Sequence, residues 1–115
     1  MILSDRAILK NIKLGEIVIE PFSREALGTN SYDVHLSKHL ATYIADVLDA
    51  KQHNQIRHFE IGEGGFVLKP GTTYLGSTLE YTETHKHVPF LEGKSSVGRL
   101  GIDIHATAGK RDDGY

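Results

Sequence analysis

The sequence predicts a mainly β protein, a sandwich or barrel of short strands, with one short helix at its N-terminus. Three observations predict it. Several short runs are β-rich or alternate apolar with polar residues, turn-forming Gly, Pro and Asn residues break them up at frequent intervals, and only the first stretch carries apolar residues at helical spacing over any length. Segregated short strands with a single helix belong to β architectures rather than to alternating α/β ones.

The elements follow in order. Ser4 before Asp5 reads as an N-cap with an acidic first turn. Ala7, Ile8, Leu9 and Ile12 then recur at helical spacing until Gly15 closes the helix. Ile17-Val18-Ile19 is a β-branched strand that stops at Glu20-Pro21. The turn residues Gly28-Thr29-Asn30-Ser31 lead into Tyr32-Asp33-Val34-His35-Leu36, expected as a strand with Tyr32, Val34 and Leu36 on one face and Asp33 at its start on the other. Between residues 38 and 60 the pattern is weaker: Thr42-Tyr43-Ile44 and Val47-Leu48 read as strand pieces, and the polar residues 51–58 as a loop. Phe66-Val67-Leu68-Lys69, ended by Pro70-Gly71, and residues 74–81 are expected as two strands of a hairpin.

Chemistry concentrates in residues 92–109. Gly93-Lys94-Ser95-Ser96 is expected as a turn, followed by a short helical Val97-Gly98-Arg99-Leu100, so that backbone N–H groups, two hydroxyls and two cations converge. Such a convergence suits a phosphate chain. Ile102, Ile104 and Ala106 then alternate with Asp103, His105 and Thr107, the period of a half-buried strand. The plain alternative is a Gly/Ser loop with solvated charges.

Composition bounds the remaining possibilities. At 115 residues the chain fits a single domain, 1–115, and 39% hydrophobic residues without tryptophan build a modest core that subunit contacts would help complete. Thirteen Lys and Arg against 15 Asp and Glu leave a net charge of -2, with no electrostatic footprint for a nucleic acid polymer. The absence of cysteine excludes a disulfide framework, a thiol nucleophile and thiolate metal ligands. No run approaches the roughly 18 apolar residues of a membrane span, and the N-terminus lacks the pattern of a signal peptide, so the expectation is a cytoplasmic protein without a membrane partner.

Two other site chemistries compete with the phosphate loop. His85, His87 and His105 could supply three imidazoles to zinc, but no cysteine or spaced acidic partner completes a ligand set, and solvated or structural histidines are the better reading. A serine nucleophile at Ser95 or Ser96 would need an oriented base and the glycine-flanked elbow that this loop lacks. Arg111-Asp112-Asp113-Gly114-Tyr115 reads, by itself, as a polar tail.

Six ordered segments together resemble the family of dCTP deaminases and the related trimeric dUTPases, and most closely the deaminase branch. They are Met1-Ile2-Leu3-Ser4-Asp5-Arg6-Ala7-Ile8, Gly28-Thr29-Asn30-Ser31-Tyr32-Asp33-Val34-His35-Leu36, Leu75-Gly76-Ser77-Thr78-Leu79-Glu80-Tyr81, the run from Gly93 to Gly101, His105-Ala106-Thr107-Ala108 and Asp112-Asp113-Gly114-Tyr115. The fourth is similar to a signature written (Arg/Lys)-Ser-Ser-x-(Ala/Gly)-Arg-x-Gly. The resemblance implies a dUTPase-like distorted β-barrel or jelly roll, a homotrimer with shared active sites, and Mg²⁺ carried by the nucleotide triphosphate, without zinc. By position it implies that Lys94, Ser95, Ser96 and Arg99 contact the triphosphate, with the backbone of Val97 and Gly98 in the same loop. It further implies that Ser95 and Arg99 lie around the reactive water, that the backbone of Ala108 helps hold that water, and that Asp112 takes the sugar.

The same resemblance places the general base, a glutamate, downstream of the Asp-x-Gly-aromatic turn, whereas the sequence ends at Tyr115. The expectation is therefore a single deaminase-like domain lacking the C-terminal strands and tail, whether as a fragment or truncated product, as a shortened homologue that completes itself with another chain, or because the tail lies outside this sequence. Removal of ammonia from dCTP to give dUTP is the leading activity. Gly109 directly after the Thr-Ala pair keeps open a dUTPase or bifunctional activity ending in dUMP and diphosphate, and the missing glutamate an inactive nucleotide-binding homologue.

Overall fold

The computed structural model describes residues 1–105. They form a mainly β architecture with a short N-terminal helix and antiparallel pairing throughout. The chain divides into two compact units, one made of Met1–Val34 with the chain from Glu80 onward, the other of His35–Leu79.

In the first unit, helix α1 (Asp5–Lys13) starts where its cap predicts. Ser4 Oγ accepts the Ala7 amide at 3.3 Å, Asp5 sits in the first turn, and Lys10 and Lys13 lie in the last, all matching the helix dipole. The helix ends at Gly15, whose φ of 73° favours glycine. The Gly15 amide donates to Ile12 O and the Glu16 amide to Asn11 O, the paired bonds of a Schellman ending. Strand β1 (Ile17–Glu20) follows at once and pairs antiparallel with β5 (Tyr81–Thr84), Ile17 opposite Thr84 and Glu20 opposite Tyr81. Among the described residues of this unit, Ile8, Ile17 and Leu27 are the buried apolar ones.

Tyr32 to Val34 do not form the expected strand. The segment is tied by local bonds instead: Leu27 and Tyr32 make an isolated bridge, the Gly28 amide donates to Ser31 O, and the Asp33 amide donates to Ala26 O, the last two at 2.8 Å. The Tyr32 hydroxyl accepts the Ser23 amide at 2.9 Å while its ring packs 5.5 Å from that of Phe22. Alternation here reflects a doubly anchored turn rather than a ladder.

In the second unit, β2 (Leu36–Tyr43) is the central strand between β3 (Ile56–Glu60) and β4 (Tyr74–Thr78). Leu40 and Ala41 are its buried pair, and Leu40 lies opposite Gly76 of β4. A β-carbon at Gly76 would come within 3.0 Å of Leu36 Cδ1 and 3.1 Å of Leu40 Cδ2, so glycine there lets the two leucines lie against the strand. Phe59, Phe66 and Tyr74 form a ring cluster, the first two 4.8 Å apart. Tyr74 also accepts the Lys69 amide on its hydroxyl.

Several expectations are corrected. Residues 56–58 belong to β3 rather than a loop; an edge strand exposed on much of its surface carries polar residues that hide its period. Phe66 to Lys69 form no strand, because a turn closed by the Gly65 amide on Gly62 O redirects the chain and Phe66 is apolar for the ring cluster. Val47 and Leu48 also lie outside any strand, with Val47 84% exposed. Residues 74–81 split into β4 and the start of β5, and residues 102–105 are irregular rather than extended into a ladder. Ala106 lies outside the described residues.

Candidate functional site

The loop that carries the expected phosphate chemistry is built by short-range bonds. Lys94 has an extended backbone (φ -69°, ψ 136°) and caps α2 (Ser95–Gly98). Its carbonyl accepts the amides of Val97 at 2.9 Å and Gly98 at 3.0 Å, and the next amides, Arg99, Leu100 and Gly101, continue onto Ser95, Val97 and Gly98 carbonyls. Gly101 closes the turn with φ 78°. The helix therefore begins two residues before the expected position and takes both serines into its first turn. The Ser95 and Ser96 amides precede the first of these bonds, so helix geometry leaves them no carbonyl within the turn. At the base of the loop a β-carbon on Gly93 would lie 3.3 Å from Ile104 Cγ1; the glycine lets the following segment pack close.

Lys94, Ser95, Ser96, Gly98 and Arg99 are exposed and Val97 is half-buried. One turn thus carries two cations and two hydroxyls on exposed residues, together with two amides that have no carbonyl within the turn, a donor set without an acidic member of its own. Its acidic neighbour comes from elsewhere in the chain. Asp33 Oδ2 accepts from Lys94 Nζ across 61 residues of sequence. Sequence reasoning assigned Asp33 only to a strand face, and no local spacing could have linked it to the lysine. Ala108 and Asp112 lie outside the described residues.

His85 and His87 have protein partners. His85 Nε2 lies 2.7 Å from Glu83 Oε1, and His87 Nε2 lies 3.1 Å from Asn11 Oδ1. Glu83 also accepts the Tyr81 hydroxyl on Oε2 at 2.7 Å, so Tyr81, Glu83 and His85 share one carboxylate. That hydrogen bond, together with the negative charge of Glu83, raises the Tyr81 pKa above its ordinary 10.0, with smaller contributions from partial desolvation and Glu20. Among the described residues no group of three or more His, Asp and Glu side chains is disposed to hold a metal ion, and no helix is long and apolar enough to cross a membrane.

The dCTP deaminase-like family model matches residues 2–115. The chain belongs to the dCTP deaminase-like family. Relatives in it include the "dCTP deaminase, dUMP-forming" of Clostridium beijerinckii, 50% identical over 115 residues, and that of Clostridium botulinum, 52% identical over 116. A protein of the same name from Leptospira biflexa is 47% identical over 115 residues. Each comparison covers 100% of this chain and 66% of the relative, so the chain spans about two thirds of the length of these curated relatives. Membership of the dCTP deaminase-like family agrees with the mainly β architecture and with the dUTPase-like fold class expected from the sequence.

Proposed function

We propose that this chain carries the triphosphate-binding part of a dCTP deaminase. The observation that carries the reading is about 50% identity along the whole chain to proteins named as such, and the exposed loop from Lys94 to Arg99 has the donors the reading needs. In the reaction, water adds to C4 of the cytosine ring, the C4–N4 bond breaks, and ammonia leaves with C4 retaining oxygen. Two products were open in the sequence, dUTP and dUMP. The relatives' names favour the dUMP-forming course, in which water also cleaves the triphosphate and releases diphosphate.

Within this reading Lys94, Ser96 and the amides of Ser95 and Ser96 hold phosphate oxygens, and the loop backbone at Val97 and Gly98 shapes the cradle. Ser95 and Arg99 serve both phosphate and the reacting water. The Ala108 backbone orients that water and Asp112 binds the sugar. Mg²⁺ enters as part of the substrate, chelated by the triphosphate. The active assembly is a homotrimer that shares its sites between subunits.

Incubation of the purified chain with dCTP and Mg²⁺, with ammonia and diphosphate assayed separately, tests the reading. Both products support the dUMP-forming course, and ammonia alone a deaminase that stops at dUTP. Binding of dCTP without turnover supports a nucleotide-binding homologue. A chain that neither binds nor converts dCTP overturns the assignment.

A further inference from the structure

The pair formed by Lys94 and Asp33 has no part in the reading above, yet it engages one of the two loop cations. Asp33 is held firmly. Its amide is bonded to Ala26 O at 2.8 Å, and its neighbour Tyr32 is fixed through the bridge to Leu27, the hydroxyl bond to Ser23 and the ring of Phe22. The lysine ammonium stands on a flexible four-carbon stem. Both side chains remain open to water, Lys94 59% and Asp33 48% exposed. The cation on its longer stem is therefore the more mobile partner, and the carboxylate, on a short side chain, is anchored through the backbone of the turn.

We propose that Asp33 is a built-in counter-ion for the loop, a carboxylate that occupies Lys94 until a polyanion takes the ammonium away. This rests on the reading of residues 94–99 as a polyanion site. A ligand that uses Lys94 must compete with Asp33 for the same ammonium donors, so the pair lowers the affinity of such ligands by a common factor. Ligands that also engage Ser95, Ser96 and Arg99 retain useful affinity after that loss; a small anion that depends on Lys94 does not. Asp33 thereby sets an affinity threshold for ligands that use Lys94, without changing their affinities relative to one another. Because the pair is solvent-exposed, the factor is modest, and direct repulsion between Asp33 and the ligand is further reduced by salt at physiological ionic strength.

The test is calorimetric titration of the chain with inorganic tripolyphosphate in metal-free buffer at physiological ionic strength. It compares the unaltered chain, Asp33→Asn, Lys94→Met and the double variant, with folding checked by circular dichroism. Asp33→Asn is expected to bind about two- to fivefold more tightly. The gain should vanish in the Lys94→Met background. Unchanged or weaker binding by Asp33→Asn overturns the counter-ion role while leaving the polyanion site standing, as does an equal gain without Lys94. If the unaltered chain shows no binding, binding uncovered by Asp33→Asn upholds both, and none in either overturns both. Asp33→Ser serves the same comparison should the asparagine variant not fold.

Discussion

The three-stranded sheet of residues 36–78 and the loop of residues 93–101 solve opposite problems. The sheet hides what little apolar surface it can: Leu40 and Ala41 are 4% and 3% exposed, and Gly76 gives up its side chain so that leucines can lie against β4. The loop hides almost nothing, keeps its cations and hydroxyls in water, and holds its shape through backbone bonds and two glycines at its base and end. The difference teaches that burial is concentrated in the sheet and not in the loop, so, with the loop as the proposed phosphate site, substitutions should divide between loss of folding and loss of binding.

The largest expected effect falls on the sheet. Leu40→Ala should destabilise the chain by about 2 to 3 kcal/mol, the low end for a buried leucine because the surrounding core is thin and can partly collapse. Chemical denaturation would measure it. A loss below about 0.5 kcal/mol would mean that the sheet does not depend on its central leucine and would erase the contrast with the loop.

Arg99→Ala is the converse. It should weaken tripolyphosphate binding by about 10- to 100-fold, the worth of about 1.5 to 3 kcal/mol for a charge-assisted contact. As an exposed position it should change folding stability by less than about 0.5 kcal/mol. Titration and denaturation of the same variant give both numbers. Unchanged affinity would remove Arg99 from the site.

What could be read from the sequence follows the same division. Helix α1 and the loop were legible because their bonds are local: a Ser4 cap, a Gly15 ending and a Gly/Ser turn all lie within a few residues of what they organise. The sheet was less legible because its edge strand β3 is largely exposed and reads as polar, while Phe66 is apolar for a ring contact rather than for a ladder. The site was half legible for the same reason. Residues 94–99 announce themselves by adjacency, whereas Asp33 reaches Lys94 only through the fold, from a turn whose alternation imitates a strand.

The smallest expected effect tests whether an exposed polar contact away from both regions leaves any mark on stability. Tyr81 lies on β5 with its hydroxyl on Glu83 and is 59% exposed. Its pKa is raised in the folded chain, first by that hydrogen bond and then by the carboxylate's charge. A raised folded pKa means that the folded state holds the phenolic proton more tightly than the unfolded state does. The contribution is therefore fully present below the ordinary value of 10.0 and is lost as pH rises through the higher folded value. Tyr81→Phe has no such proton to lose. Between pH 9 and 11, the unaltered chain should lose slightly more stability than the variant, and the two denaturation profiles should run parallel below about pH 9. Coincident profiles across the whole alkaline range would show that water screens the contact completely.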